Sequence, residues 1–301
     1  MRRKVSTLRL AGAATLVVSL MALDAPVHAA FPGENGKIAY VQVAAGADIF
    51  VINPNGTGRR NITASPRRSE FDPAWSADGE KIAFMREDFD EFTFDIWVMN
   101  AAGTDQANLT DSPTEDDEQP AWSPDGSRIV FVKRYADGDS DLFALSASGT
   151  ERQLTSGPQH DFDPAWSPNG RLIAFRRDNH LYLMNADGSG AHRVTDYPEI
   201  EANPNWAPNG NRIVYAACVG DCQGTSPDWD IFTVNPDGSE GVKLTDGPEL
   251  DSSPAWSPDG RRIAFDRNAE IFVMDADGSD LIQLTGSTNK GSFAPDWQPL
   301  P

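Results

Sequence analysis

Five residues ahead of Trp75, Trp122, Trp166, Trp206, Trp256 and Trp297 stand Glu70, Asp117, Asp161, Glu201, Asp251 and Ser292. Acids make up 45 of 301 residues, so composition alone would put about one acid among six such positions, and five are acidic. Carboxylates repeated at one structural position suit two kinds of chemistry. Gathered around an axis, they would hold a hard cation such as Ca²⁺, which favours several oxygen ligands, or the basic side chains of a Lys/Arg tail. Kept apart, each would cap a turn or accept backbone N–H groups from a neighbouring unit. All five acids are candidate metal ligands on the first reading, and Asp117, Asp161 and Glu201 are also candidate partner contacts.

Cys218 and Cys222, in "CVGDC", are the only two cysteines. In an oxidising compartment so close a pair is expected to form a disulfide that pins one loop, and no further ligands recur around it at metal-binding spacing. Nearby Trp229 falls outside the tryptophan register and reads either as loop packing or as a contact hot spot. Phe89 and Phe92, in the acidic stretch "REDFDEFTFD", are candidate contacts as well. His160, His180 and His192 show no spacing for a shared metal site, although His160 beside Asp161 and Asp163 is the first place to look for one. "DADGSD" at 275–280 lacks the longer alternation and terminal Glu of an EF-hand loop, so it reads as a hairpin turn. No G-x-S-x-G is present.

The elements that position these residues follow from the tryptophans. Their spacings of 47, 44, 40, 50 and 41 residues mark a repeat architecture. After each of the first five comes a turn such as "SPDG" at 123–126 or "APNG" at 207–210, where Pro presets φ and Asn/Asp-Gly accepts the bend. An apolar triplet follows, for example Ile82-Ala83-Phe84 or Ile263-Ala264-Phe265, then an alternating run such as "DIFVIN" or "DIWVMN". A second tight turn leads to a short strand ending in Leu-Thr or Val-Thr. Short β-rich runs between turn residues read as antiparallel strands. Four per unit, repeated radially, make the blade of an all-β propeller.

The ends set the blade count. "ENGKIAYVQV" supplies a second strand with no tryptophan segment before it, and "APDWQPLP" supplies a tryptophan segment with no strand after it. Six blades result if the C-terminal segment completes the N-terminal blade. The first strand of each blade would line the axial channel. Near-uniform "SPDG" and "NADG" turns would then fall on one face of the disc, and every variable loop on the other, where binding sites on rigid scaffolds usually lie.

Arg2, Arg3, Lys4 and Arg9 precede "LAGAATLVVSLMAL" and then "APVHAAF", the plan of a secretory signal peptide over residues 1–30. The protein is expected to be exported, to the periplasm or beyond, with no membrane span in the mature chain. The remainder carries 21 basic and 44 acidic residues, a formal charge of −23. Nucleic acid is a poor partner for such a surface, because its phosphates require cations.

The unit P-x-W-S-P-D-G-x-x-I-A-F, then D-I-F-V-M-N-x-D-G, then L-T resembles the WD40-like repeat of TolB-type β-propellers over essentially all of residues 33–301. The resemblance is to the propeller part alone, without the N-terminal α/β domain of TolB. It implies a six-bladed TolB-like propeller over residues 31–301, while fold does not transmit function. The leading expectation is a monomeric, non-enzymatic recognition or scaffold module. It would bind a protein or peptide, basic in character, through the acidic loop face. One alternative is a hydrolase or lyase dependent on Ca²⁺ or Mn²⁺, with its site at the channel mouth. Another is a structural ring stabilised by a cation.

Overall fold

The computed structural model describes residues 30–301 apart from 45, 66–67, 89–92, 197–199, 221, 223–226 and 287–289. The segment through residue 29, expected to act as a signal peptide, and Phe89 and Phe92 therefore lie outside the described residues.

Six four-stranded antiparallel sheets form the blades. The first contains β1 (Glu34–Val43), β2 (Ala47–Ile52) and β3 (Arg60–Asn61). The second contains β4 (Glu70–Trp75), β5 (Lys81–Asp88), β6 (Thr93–Asn100) and β7 (Ala107–Asn108). The third has β8 (Asp116–Trp122), β9 (Arg128–Arg134), β10 (Ser140–Ser146) and β11 (Glu151–Gln153). The fourth has β12 (Asp161–Trp166), β13 (Leu172–Arg177), β14 (His180–Asn185) and β15 (His192–Arg193). The fifth has β16 (Glu201–Trp206), β17 (Ile213–Val219), β18 (Asp228–Val234) and β19 (Val242–Lys243). The sixth has β20 (Asp251–Trp256), β21 (Arg262–Arg267), β22 (Glu270–Asp275) and β23 (Ile282–Gln283).

The last strand, β24 (Gly291–Leu300), pairs antiparallel with β1, setting Ile38 opposite Trp297 and Val43 opposite Gly291. It is the missing first strand of the first blade, so the two ends of the sequence close the ring as the repeat count requires. The inner strands β24, β4, β8, β12, β16 and β20 pack against one another in a circle.

Each "SPDG"-type turn builds itself locally. In the second blade Asp78 Oδ1 accepts from the Ser76 hydroxyl and from the Glu80 N–H, while Gly79 N–H returns to the Ser76 carbonyl. Gly79 sits at φ +67°, and a Cβ there would lie 2.1 Å from the Pro299 carbonyl oxygen of the closing strand. Only glycine combines that conformation with so close an approach.

The inner strands share a further feature. Asp72, Gln119, Asp163, Asn203, Ser253 and Ala294 all have φ between +51° and +56°, and a proline follows each of them. The ladder skips these two residues and resumes at the next, a β-bulge on the inner edge. Proline has no N–H to donate, so it fits where no ladder bond is made. The freed N–H groups reach the neighbouring blade instead: Asp163 N donates to Gln119 Oε1 at 2.8 Å, and Asn203 N to Asp163 Oδ2 at 3.3 Å.

Between blades the apolar triplets and repeat tryptophans form the core. Trp75, Trp166, Trp206, Trp256 and Trp297 are buried and Trp122 partly so. Residues 30–33 run under the ring: Ala30 N donates to the Trp206 carbonyl, Gly33 N to the Pro258 carbonyl, and Phe31 is buried. No helix among the described residues is long and apolar enough to cross a membrane.

Candidate functional site

The repeated carboxylates lie at the start of each inner strand, where the chain arrives from the variable face. All five are almost completely buried, at no more than 1 % exposure. Register explains why. Each inner-strand position faces a residue of the second strand: Glu70 faces Arg86, Asp117 faces Lys133, Asp161 faces Arg177, Glu201 faces Ala217, Asp251 faces Arg267 and Ser292 faces Gln42. Directly opposed residues point to the same side of a sheet, so four acids meet a cation of their own blade.

The resulting contacts are short. Arg177 forks onto both oxygens of Asp161 at 2.7 and 2.8 Å, and Arg267 onto both of Asp251 at 2.6 Å each. Arg86 Nε lies 3.0 Å from Glu70, and Lys133 Nζ lies 3.2 Å from Asp117 and 3.1 Å from Glu151. The cations also rest over aromatic rings of their blades. Arg86 lies 4.4 Å from Trp97, and Arg177 lies 5.2 Å from Phe175. Ser292 instead pairs with the Gln42 amide at 3.5 Å.

A second set of acids completes the arrangement. Asp48, Asp95, Asp141, Asp230 and Glu270, at the third strands, each hold the hydroxyl of the threonine that ends the blade: Thr63, Thr110, Thr155, Thr245 and Thr285. Those hydroxyls accept in turn from a third-strand backbone N–H, at 2.8 to 3.0 Å. Ser112, just past the second blade, donates to Asp117 Oδ2 at 2.7 Å, so the ring acid also ties its own blade to the preceding one.

The fourth-to-fifth blade junction departs from both patterns. His180 takes the place of the third-strand acid, and Ala217 takes the place of the cation. Glu201 substitutes for the missing acid, its Oε2 accepting from Leu181 N at 3.0 Å and from the Thr195 hydroxyl. His180 Nδ1 stands 3.7 Å from Glu201 Oε2. Neither His180 Nδ1 nor Glu201 Oε1 has a hydrogen-bond partner, and both atoms are buried. Burial raises the pKa of Glu201 and lowers that of His180, to which nearby Arg193 adds.

The other candidates take different positions. Trp229 is buried at 2 % exposure, opposite Cys218 in the β17–β18 ladder and bridged through its backbone to Leu250. It packs with Ala202, Ile231 and Trp256 and is not a surface contact. A disulfide joins Cys218 to Cys222. His160 is half-exposed on the loop face, with Nδ1 3.7 Å from Asp139. Among the described residues no three His, Cys, Asp or Glu side chains converge where they would share a metal ion. The ring acids are instead distributed, each with its own partners.

Acids remain on the variable face above this buried layer: Asp137, after β9, and Asp178, after β13, are exposed, while Asp139 and Glu115, which precedes the core of β8, are partly buried. The opposite face carries the uniform turns.

None of the curated proteins compared matches the chain in sequence. Among solved structures, TolB from Acinetobacter baumannii superposes with a TM-score of 0.73 at 20% identity, covering 89% of this chain and 68% of that one. A putative TolB from Agrobacterium tumefaciens gives 0.66 at 19% identity, covering 88% and 100%. An oligogalacturonate lyase in complex with manganese gives 0.59 at 15% identity, covering 87% and 77%. At these identities the likeness is one of fold. The family model of the TolB beta propeller domain matches residues 22–151 and 118–223, together well over half of the sequence. With six four-stranded blades closed by β24, the chain belongs to the TolB β-propeller domain family.

Proposed function

We propose that this protein is an exported, non-enzymatic recognition module that binds a protein or peptide partner, basic in character, through its variable loop face. The observation that carries the reading is the division of labour between the two faces. One presents near-identical short turns, and the other presents every insertion together with Glu115, Asp137, Asp139 and Asp178. Loops of varied sequence on a rigid ring are suited to recognition, and an acidic face attracts and orients a basic partner. The buried layer of ion pairs beneath supplies rigidity, while the acids of the loop face supply the contacts.

Crosslinked capture with residues 31–301, from the envelope fraction of the producing cell, tests this. A specific partner is expected, weakened by Asp137→Lys with Asp139→Lys and unaffected by Glu80→Lys with Glu240→Lys on the turn face. Repeated blanks with crosslinking, or equal loss from both variants, would overturn it. The fold likeness to a manganese-bound lyase gives the metal-dependent reading its own arm, thermal unfolding with EDTA, Ca²⁺ and Mn²⁺. A ligand that binds only the native state must raise its stability.

A further inference from the structure

The break in the repeat at β16 leaves one buried carboxylate oxygen, Glu201 Oε1, without a donor, and an unpartnered imidazole nitrogen, His180 Nδ1, 3.7 Å from the other oxygen of the same carboxylate. From this we infer that Glu201 and His180 form a binding site for a primary ammonium group. The template is internal. In the third blade Asp117 uses one oxygen, Oδ2, for the Ser112 hydroxyl of the preceding connection and the other, Oδ1, for the Lys133 ammonium at 3.2 Å. In the fifth blade Glu201 uses Oε2 in the same way, for the Thr195 hydroxyl and Leu181 N–H. Its Oε1 is left without the cation, because the cross-strand residue is Ala217.

The donor deficit is double. His180 Nδ1 also has no hydrogen-bond partner. A neutral imidazole protonated on Nε2 offers Nδ1 as an acceptor, and burial favours the neutral ring. Two donorless acceptors on neighbouring side chains, one of them a carboxylate oxygen, suit one group with several hydrogens and a positive charge. An alkylammonium has three N–H donors on one atom. A guanidinium fork fits less well, because Arg177 and Arg267 each occupy two carboxylate oxygens and Glu201 has one to give. Arg193 acts on this pair through space, while its Nε is committed to the Thr195 carbonyl. His180, with a quarter of its side chain exposed, marks the approach from solvent.

The site stands on the broken repeat and does not depend on which macromolecule the loop face meets. Titration calorimetry with propylammonium and with an acetylated, amidated lysine separates a free amine from a lysine side chain as the source. Binding is expected to saturate and to weaken at least tenfold in Glu201→Gln. It should be lost in Ala217→Lys, whose own ammonium takes the position held by Lys133 in the third blade. Ala217→Lys should melt no lower than wild type, with the His180 ring resonances shifted as by the ligand. No saturable binding by either probe at about 10 mM, where a millimolar site would be filled, overturns the inference. So does equal binding by wild type and Glu201→Gln, which remains decisive if the lysine variant fails to fold.

Discussion

Arg177 and Asp161 face each other across β12 and β13 with both carboxylate oxygens engaged, at 2.7 and 2.8 Å, and with Asp161 almost wholly buried. The same geometry recurs sixteen residues apart in Arg267 and Asp251. Such pairs stiffen the entry of the inner strands that carry them. Removing one partner of a buried pair leaves a charge with no compensation. Arg177→Ala is therefore expected to cost about 3 kcal/mol in urea unfolding. The double replacement Asp161→Leu with Arg177→Leu should recover most of it, and an additive loss would count against this account.

Asp296, on the closing strand, accepts the Trp75 N–H of the next blade at 2.7 Å, and burial pushes its pKa up to about 8. A carboxyl raised in the folded state binds its proton more tightly there than in the unfolded chain. Its contribution is full below the ordinary value of 3.8 and is lost as pH rises from there to about 8. Stability should thus decline across that window, and Asp296→Asn should flatten the decline while keeping the acceptor. Asp266, pushed up to about 6 by burial, accepts Ala294 N of the same strand at 3.3 Å and adds a smaller decline at lower pH. An unchanged slope of unfolding free energy against pH in Asp296→Asn would refute the assignment.

Gly79 and Gly126 share φ +67°, yet only Gly79 touches the seam. Gly126→Ala meets open space and should cost only the left-handed conformation, about 1 to 2 kcal/mol. Gly79→Ala must also displace the Pro299 carbonyl, so it should melt distinctly lower. Equal melting temperatures would mean that the closing strand yields freely at this point.

The Cys218–Cys222 bridge closes a loop with a sequence separation of 4. Chain-entropy arguments give so short a loop about 2 kcal/mol. Mild reduction should lower the free energy of unfolding by that amount without melting the ring. The emission of buried Trp229, opposite Cys218, should report it.

How far the sequence went can be judged at particular residues. The blades were legible because tryptophan, turn and triplet recur in fixed order, and the seam because β1 and β24 are each incomplete alone. The role of Glu70, Asp117, Asp161 and Asp251 was not, because their partners lie across a hairpin, and composition at one position says nothing about register. A signal was nonetheless present: Arg86, Lys133, Arg177 and Arg267 each stand sixteen residues downstream. Trp229 was ambiguous for a different reason. Its place outside the repeat is compatible with loop packing or with a surface contact, and the fifth-blade hairpin decides for packing, burying it in one cluster with Ala202 and Trp256.

Lys37 N–H and the Gln298 side chain, 261 residues apart, are hydrogen-bonded within one blade. Contacts of such separation carry the largest loop-closure cost and are rewarded late in folding. Five blades can zip up from local hairpins while the first waits, open-edged, for the tail of the chain. During synthesis β1 emerges early and has no inner neighbour until β24 arrives, so the ring cannot close before that strand is made. A nascent chain held short of its final strand would keep the inner edge of β1 unpaired and the ring open.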